Sequence, residues 1–241
     1  AGQSLSNLSD EQELTFWAAT AAGGRMNIAN WLERRALMHP DNPALFEGTR
    51  LLADYAGFRR YAQQVARRLS ADYGIQPGDR VVIYLKNRPD YLPILYGIWY
   101  LGAAAVPVNA KLHAKECRWI IDDSAARAVF AEPERHEELA SGADHSCRYL
   151  DPATFVMPDV ANEPLAPAPA PRVPEDLAWL FYTSGTTGRP KGVIITHGML
   201  AAMSSCYLAD VDAVDSADCA LYAAPLSHGA GLYNFVHVLR G

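Results

Sequence analysis

An α/β fold, with parallel-rich sheets flanked by helices, is predicted by three features of the sequence. Short runs are apolar at every position, as in Val81-Val82-Ile83-Tyr84-Leu85. Other stretches repeat their apolar residues at three- and four-residue intervals, and the two kinds alternate along the chain. Runs of the first kind suit strands buried on both faces, and the second suit amphipathic helices lying over them. Their alternation argues for βαβ units joined by right-handed crossovers.

The elements follow in order. Residues 1–25 carry one short helix near Glu11 to Thr20 and then Ala21-Ala22-Gly23-Gly24, so they read as a weakly ordered extension with no assigned role. Ile28, Trp31, Leu32 and Leu37 put apolar groups on one side of a helix that Pro40 ends, and Ala44-Leu45-Phe46 opens a hairpin around Glu47-Gly48. Asp54 is placed to cap a long helix bearing Tyr55, Phe58, Tyr61, Ala62, Val65, Ala66 and Leu69, which should cover a sheet. Pro77-Gly78-Asp79 turns the chain into the strand at 81–85. Helices near 90–101 and 114–123 then alternate with strands near 104–108 and 127–131. Residues 158–174, PDVANEPLAPAPAPRVP, are too rich in proline for a central strand or helix and should run as extended surface chain. The expected division is therefore an extension at 1–25, α/β elements at 26–157, a proline-rich connection at 158–174, and a last part at 175–241.

Composition narrows the function. With 241 residues, half of them hydrophobic, the chain can bury a substantial core. A formal net charge of −6 disfavours a general nucleic-acid or anionic-membrane binder, so any anionic ligand must be drawn by local charge. Cys117, Cys147, Cys206 and Cys219 form no C-x-x-C pair and fit reduced, inert core thiols of a cytoplasmic protein. The histidines make no close pair, so no metal site is indicated. The longest apolar stretch, Leu92 to Val108, is broken by Pro93, Gly97, Gly102 and Pro107, and reads as a buried helix running into a buried strand, not a membrane span.

The densest chemistry lies in Tyr182-Thr183-Ser184-Gly185-Thr186-Thr187-Gly188-Arg189-Pro190-Lys191-Gly192. Its glycines let backbone N–H groups turn toward an anion, its hydroxyls add donors, and Lys191 brings a mobile positive charge. The pattern is not a Walker A, because glycine would be needed where Pro190 stands. Nor is it G-x-G-x-x-G: Gly185 and Gly188 are wrongly spaced, and Val193-Ile194-Ile195-Thr196 afterwards looks like a strand, so the loop joins strand to strand.

YTSGTTGRPKGVIITH resembles the signature of the adenylate-forming superfamily, which includes acyl-CoA synthetases, luciferases and nonribosomal-peptide adenylation domains. HPDNPAL, GIQPGDRVVIYLKNRPDYL, GAAAVPVN and IIDDSAARAVF extend the likeness through the N-terminal half of an acyl-CoA synthetase. The resemblance implies that Thr183, Ser184, Gly185, Thr186, Thr187, Gly188 and Lys191 grip the phosphates of ATP with Mg2+, while a carboxylic acid attacks the α-phosphorus. An acyl-AMP forms, pyrophosphate leaves, and CoA takes the acyl group. Fixed donors and Lys191 would meet the charge that gathers on the leaving pyrophosphate.

A second motif, Ala224-Pro225-Leu226-Ser227-His228-Gly229-Ala230-Gly231-Leu232, is expected to follow a strand at 220–223 and precede an apolar helix at 232–239. It resembles the family's acyl-site motif: His228 would border the carboxylate, and Gly229 and Gly231 would keep the pocket floor low. Amino-acid-activating relatives are similar but place an aspartate here, so its absence points to fatty, aryl or other simple acids. His197 is read as a helix start. The family is about twice as long, which implies an incomplete N-terminal large domain, inactive alone and prone to self-association through unfinished sheets. The alternative is a short non-catalytic module that binds nucleotide phosphates or another protein.

Overall fold

The computed structural model describes residues 26–141, 147–155, 168–183 and 189–241. The expected helix near Glu11 to Thr20 and most of the proline-rich connection lie outside them.

Helix α1 (Ala29–Met38) leads into an antiparallel hairpin of β1 (Pro43–Glu47) and β2 (Arg50–Asp54). Along α1 the buried positions are Ala29, Trp31, Leu32 and Ala36, whereas Leu37, expected on that side, is exposed. Helical geometry explains the correction, because Ala36 lies four residues after Leu32 and takes the inward place.

Helix α2 (Tyr55–Ala71) starts where expected: the Asp54 carboxylate accepts a hydrogen bond from the Gly57 amide at 2.6 Å. It packs mainly along α3 (Tyr91–Leu101). Gly97 makes that approach possible, since a Cβ there would stand 2.5 Å from the Val65 side chain and 2.9 Å from the Ala62 carbonyl oxygen. Helix α3 ends at Gly102, which takes the left-handed conformation (φ 80°) and hands the chain to the next strand.

One six-stranded sheet forms the centre. It contains β3 (Arg80–Tyr84), β4 (Ala104–Pro107), β5 (Ala128–Ala131), β6 (Arg148–Leu150), β7 (Leu177–Thr183) and β8 (Lys191–Thr196), in the order β6-β5-β3-β4-β7-β8. All pairings are parallel except the last, β7 with β8. All four residues of β4 and of β5 are buried, as their unbroken apolar sequences require. On one face a large core joins α1, α2, α3 and the C-terminal α7 (Asn234–Arg240). On the other, α4 (Ala114–Asp123) covers the sheet near the short α5 (His136–Ala140).

β7 continues this same sheet, although 168–174 intervene before it. Those residues are tied down: Asn27 donates from Nδ2 to the carbonyls of Trp99 (2.7 Å) and Ala170 (2.9 Å), and the Ala170 amide donates to Tyr100 (2.8 Å). Helix α6 (His197–Asp210) follows β8 directly, with Thr196 accepting from the Met199 amide as its cap.

Two expectations need correction. Residues 220–223 form no strand, because no neighbouring strand among the described residues offers them a ladder, and Leu221 is 92% exposed. Only Cys117 and Cys147 are core thiols, raised by burial to about 12 and about 11; Cys206 and Cys219 are exposed.

Candidate functional site

The hairpin of β7 and β8 sets the geometry of the glycine- and threonine-rich loop. Its register pairs Tyr182 with Gly192 and, at the open end, Thr183 with Lys191. The strand-to-strand reading therefore holds, and the loop's two flanking residues face each other across the hairpin head. Both are exposed, as is Arg189. Among the described residues Lys191 has no ion-pair partner. Ser184, Gly185, Thr186, Thr187 and Gly188 lie outside the described residues.

Tyr182 anchors this head. Its hydroxyl donates to Asp123 Oδ2 at 2.6 Å, at the end of α4, and its ring stands edge-on to Trp119 at 6.0 Å. Burial, followed by the Asp123 carboxylate, pushes the phenol up, so the hydroxyl keeps its proton and remains a donor. Across the ladder, Gly192 gives the ring room: a Cβ would stand 3.1 Å from Tyr182 Cζ and 3.2 Å from Leu180 Cδ1.

β7 works on both faces, as alternation along a strand demands. Leu180 and Tyr182 pack toward α4, whereas Trp179 and Phe181 face the loop that carries His228. The rings of Phe181 and His228 meet edge-on at 5.3 Å. His228 is exposed, and it lies two residues after the buried Leu226. The two motifs, some forty residues apart in sequence, thus meet along one strand.

The motif's glycines differ in what surrounds them. A Cβ on Gly231 would stand 1.9 Å from the Leu226 carbonyl oxygen and 3.2 Å from Trp179, so a bare Cα is required for the loop to close on β7. A Cβ on Gly229 would meet nothing within 4 Å. Behind the loop Asn234 is buried, donating to the Gly231 carbonyl and accepting from the Tyr96 hydroxyl at 3.0 Å.

One contributor lies within the family-like phrase GIQPGDRVVIYLKNRPDYL, but its role was not legible there. Asn87, just beyond β3, donates from Nδ2 to the carbonyls of Tyr222 (3.0 Å) and Ala224 (2.9 Å), and its Oδ1 accepts from the Leu226 amide at 2.8 Å. A single asparagine bonding backbone far along the chain creates no local pattern to read.

His197 is a helix start, as expected, and it is fully buried. Its Nδ1 accepts from the Ile28 amide at 3.2 Å, and burial holds the imidazole down to about 4, so the ring is neutral. No three His, Cys, Asp or Glu side chains gather to hold a metal ion among the described residues. Likewise, no helix among them is long and apolar enough to cross a membrane.

A mostly parallel sheet closed by one antiparallel hairpin, with helices on both faces, is the architecture of the N-terminal domain of adenylate-forming enzymes. The inhibitor-bound N-terminal domain of FACL13 from Mycobacterium tuberculosis superposes with a TM-score of 0.77 at 30% identity, covering 90% of this chain and 56% of that one. The chain belongs to the AMP-binding enzyme family, whose pattern matches residues 32–241. It is 36% identical over 209 residues to the 2-succinylbenzoate–CoA ligase of Geobacillus kaustophilus, covering 85% of this chain and 40% of the relative. It is also 36% identical over 208 residues to a feruloyl-CoA synthase of an Amycolatopsis species, with the same coverages of 85% and 40%. The chain thus spans about 40% of the length of these curated relatives.

Proposed function

We propose that these residues form the phosphate- and acyl-binding part of an enzyme that activates a carboxylic acid with ATP and passes the acyl group to CoA. The observation that carries this reading is the hairpin register, which faces Thr183 with Lys191 at the loop's mouth while Phe181, on the same hairpin, touches His228. A phosphate chain held at the hairpin head and a carboxylate beside His228 would then be neighbours.

In this reading Thr183, Ser184, Gly185, Thr186, Thr187, Gly188 and Lys191 bind the ATP phosphates. The exposed ammonium of Lys191 fits that role, because no carboxylate among the described residues neutralises it. Mg2+ would supply further charge compensation beside Lys191 when bound with ATP; among the described residues no cluster of His, Cys, Asp or Glu would hold it alone. His228 borders the acid, and Gly229 leaves open space beside it. The absence of an aspartate from APLSHGAGL supports an aryl, fatty or other simple acid over an amino acid. The aryl acids in the names of the two ligases above agree with this. A cytoplasmic setting, where ATP and CoA are both at hand, suits the reaction.

Because the relatives are more than twice as long, we assign binding and not turnover to these 241 residues. Calorimetry with Mg-ATP and with pyrophosphate tests the reading. The chain should bind both, and Lys191→Ala should weaken binding roughly ten-fold, as loss of a charged hydrogen-bond donor does. Equal affinity in the variant would remove Lys191 from the phosphate site. Acid-dependent exchange of labelled pyrophosphate into ATP should be missing from this chain and present in a family-length enzyme.

A further inference from the structure

We propose that Asn87 is a positioning residue that fixes the His228 loop at the end of β3. The significance of this for an acid substrate rests on the acyl-site reading above, but the placement itself does not.

The segment 220–226 has no strand beside it among the described residues. In place of a ladder it receives one side chain. Asn87 engages backbone groups of Tyr222, Ala224 and Leu226, every second residue, at 3.0, 2.9 and 2.8 Å. The partners fix the amide's orientation, since Nδ2 faces two carbonyls and Oδ1 faces an N–H. Asn87 thus supplies, in miniature, what a neighbouring strand would.

Asn87 is exposed, as are the carbonyl-bearing Ala224 and the nearby Ala223 and Pro225. Water could therefore satisfy the exposed ones among these groups singly, while Leu226 is buried. What the amide adds is a fixed spacing between them, which is order in the loop more than stability of the fold. His228 follows Leu226 by two residues, and Asn234 grips the loop's far side at Gly231. Between these two asparagines the imidazole stands edge-on to Phe181. Removing Asn87 leaves the buried Leu226 and the rear grip in place but takes the side-chain ties from 222–226, so the front of the loop should loosen while the rest of the molecule is undisturbed.

Two variants of the 241-residue chain separate the contacts. Asn87→Ala removes all three. Asn87→Asp keeps an acceptor for the Leu226 amide but sets a carboxylate against two carbonyl oxygens. The readouts are amide hydrogen exchange over 222–231, the NMR shift of the His228 ring protons, which the Phe181 ring current displaces, and the midpoint of thermal unfolding. In Asn87→Ala the Leu226 amide should exchange roughly five- to ten-fold faster, corresponding to one lost hydrogen bond. The His228 shift should move toward that of a free imidazole, with the midpoint nearly unchanged. In Asn87→Asp the Leu226 amide should stay protected while the His228 shift still moves.

Unchanged exchange and an unchanged His228 shift in both variants would overturn the proposal. So would a general loss of protection with a large fall in the midpoint, because Asn87 would then serve the whole fold. Titration with benzoate and with octanoate distinguishes this from failure of the acyl-site reading. Should the wild-type His228 signal ignore both acids while Asn87→Ala loosens the loop, the acyl-site reading falls and the positioning role stands.

Discussion

Gly229 and Gly231 stand in one loop under opposite constraints. Alanine at 231 would drive its Cβ to 1.9 Å from a backbone oxygen, where no side-chain rotation gives relief. Gly231→Ala should therefore cost about 2 kcal/mol or more in chemical denaturation, in the range of overpacked cores. Gly229→Ala, facing open space, should leave stability within about 0.5 kcal/mol. His197 predicts a pH dependence. Burial depresses its folded-state value to about 4, against about 6.5 when unfolded, so the unfolded chain takes up the proton first on acidification. Stability is then complete above pH ~6.5 and falls toward pH ~4, by roughly 3 kcal/mol from this group. His237, also lowered by burial, acts in the same direction. Thermal unfolding measured across that window should show the fall. His197→Asn, whose amide oxygen can replace Nδ1 as acceptor for Ile28, should make it shallower.

At the scale of elements, the hairpin of β7 and β8 depends on its attachment to α4. Tyr182→Phe keeps the ring against Trp119 and Gly192 but removes the hydroxyl that donates to Asp123. It should lower stability by about 1 kcal/mol, the net worth of one hydrogen bond. Trp119 fluorescence should stay close to wild type, because the ring contact survives. Elements such as β3, β4 and α3 were legible because burial on every side leaves an apolar sequence with no alternation. The Asp54 cap and the turn at Pro77-Gly78-Asp79 were legible because their chemistry is local. Residues 220–223 misled for the same reason: Ala-Leu-Tyr-Ala has the composition of a strand, but a strand needs a partner, and Asn87 lies far away in the sequence. The loop motif was readable because its glycines, hydroxyls and lysine are contiguous in the sequence. The meeting of Phe181 with His228 was not, since it arises from the packing of a loop distant in sequence against β7.

Across the whole molecule, the sheet has unequal edges. At one end β6 is three residues long, too short to template much pairing. At the other, β8 has one strand neighbour among the described residues and exposes Val193 (47%) and Ile194 (62%). Exposed apolar residues on an unpaired edge favour association between copies. Light scattering should show an average mass that rises with concentration, and Ile194→Lys should flatten that rise by placing a charge on the edge. A wild-type mass independent of concentration would show that the edge does not recruit copies.

Because neighbouring side chains on β7 leave by opposite faces, the strand is a partition wall with separate tenants. Substitutions at Phe181 can alter the surface that meets His228 while Tyr182 keeps its hold on Asp123. A lineage could thus change the company His228 keeps by altering one side of this wall, without moving the mouth where Thr183 meets Lys191.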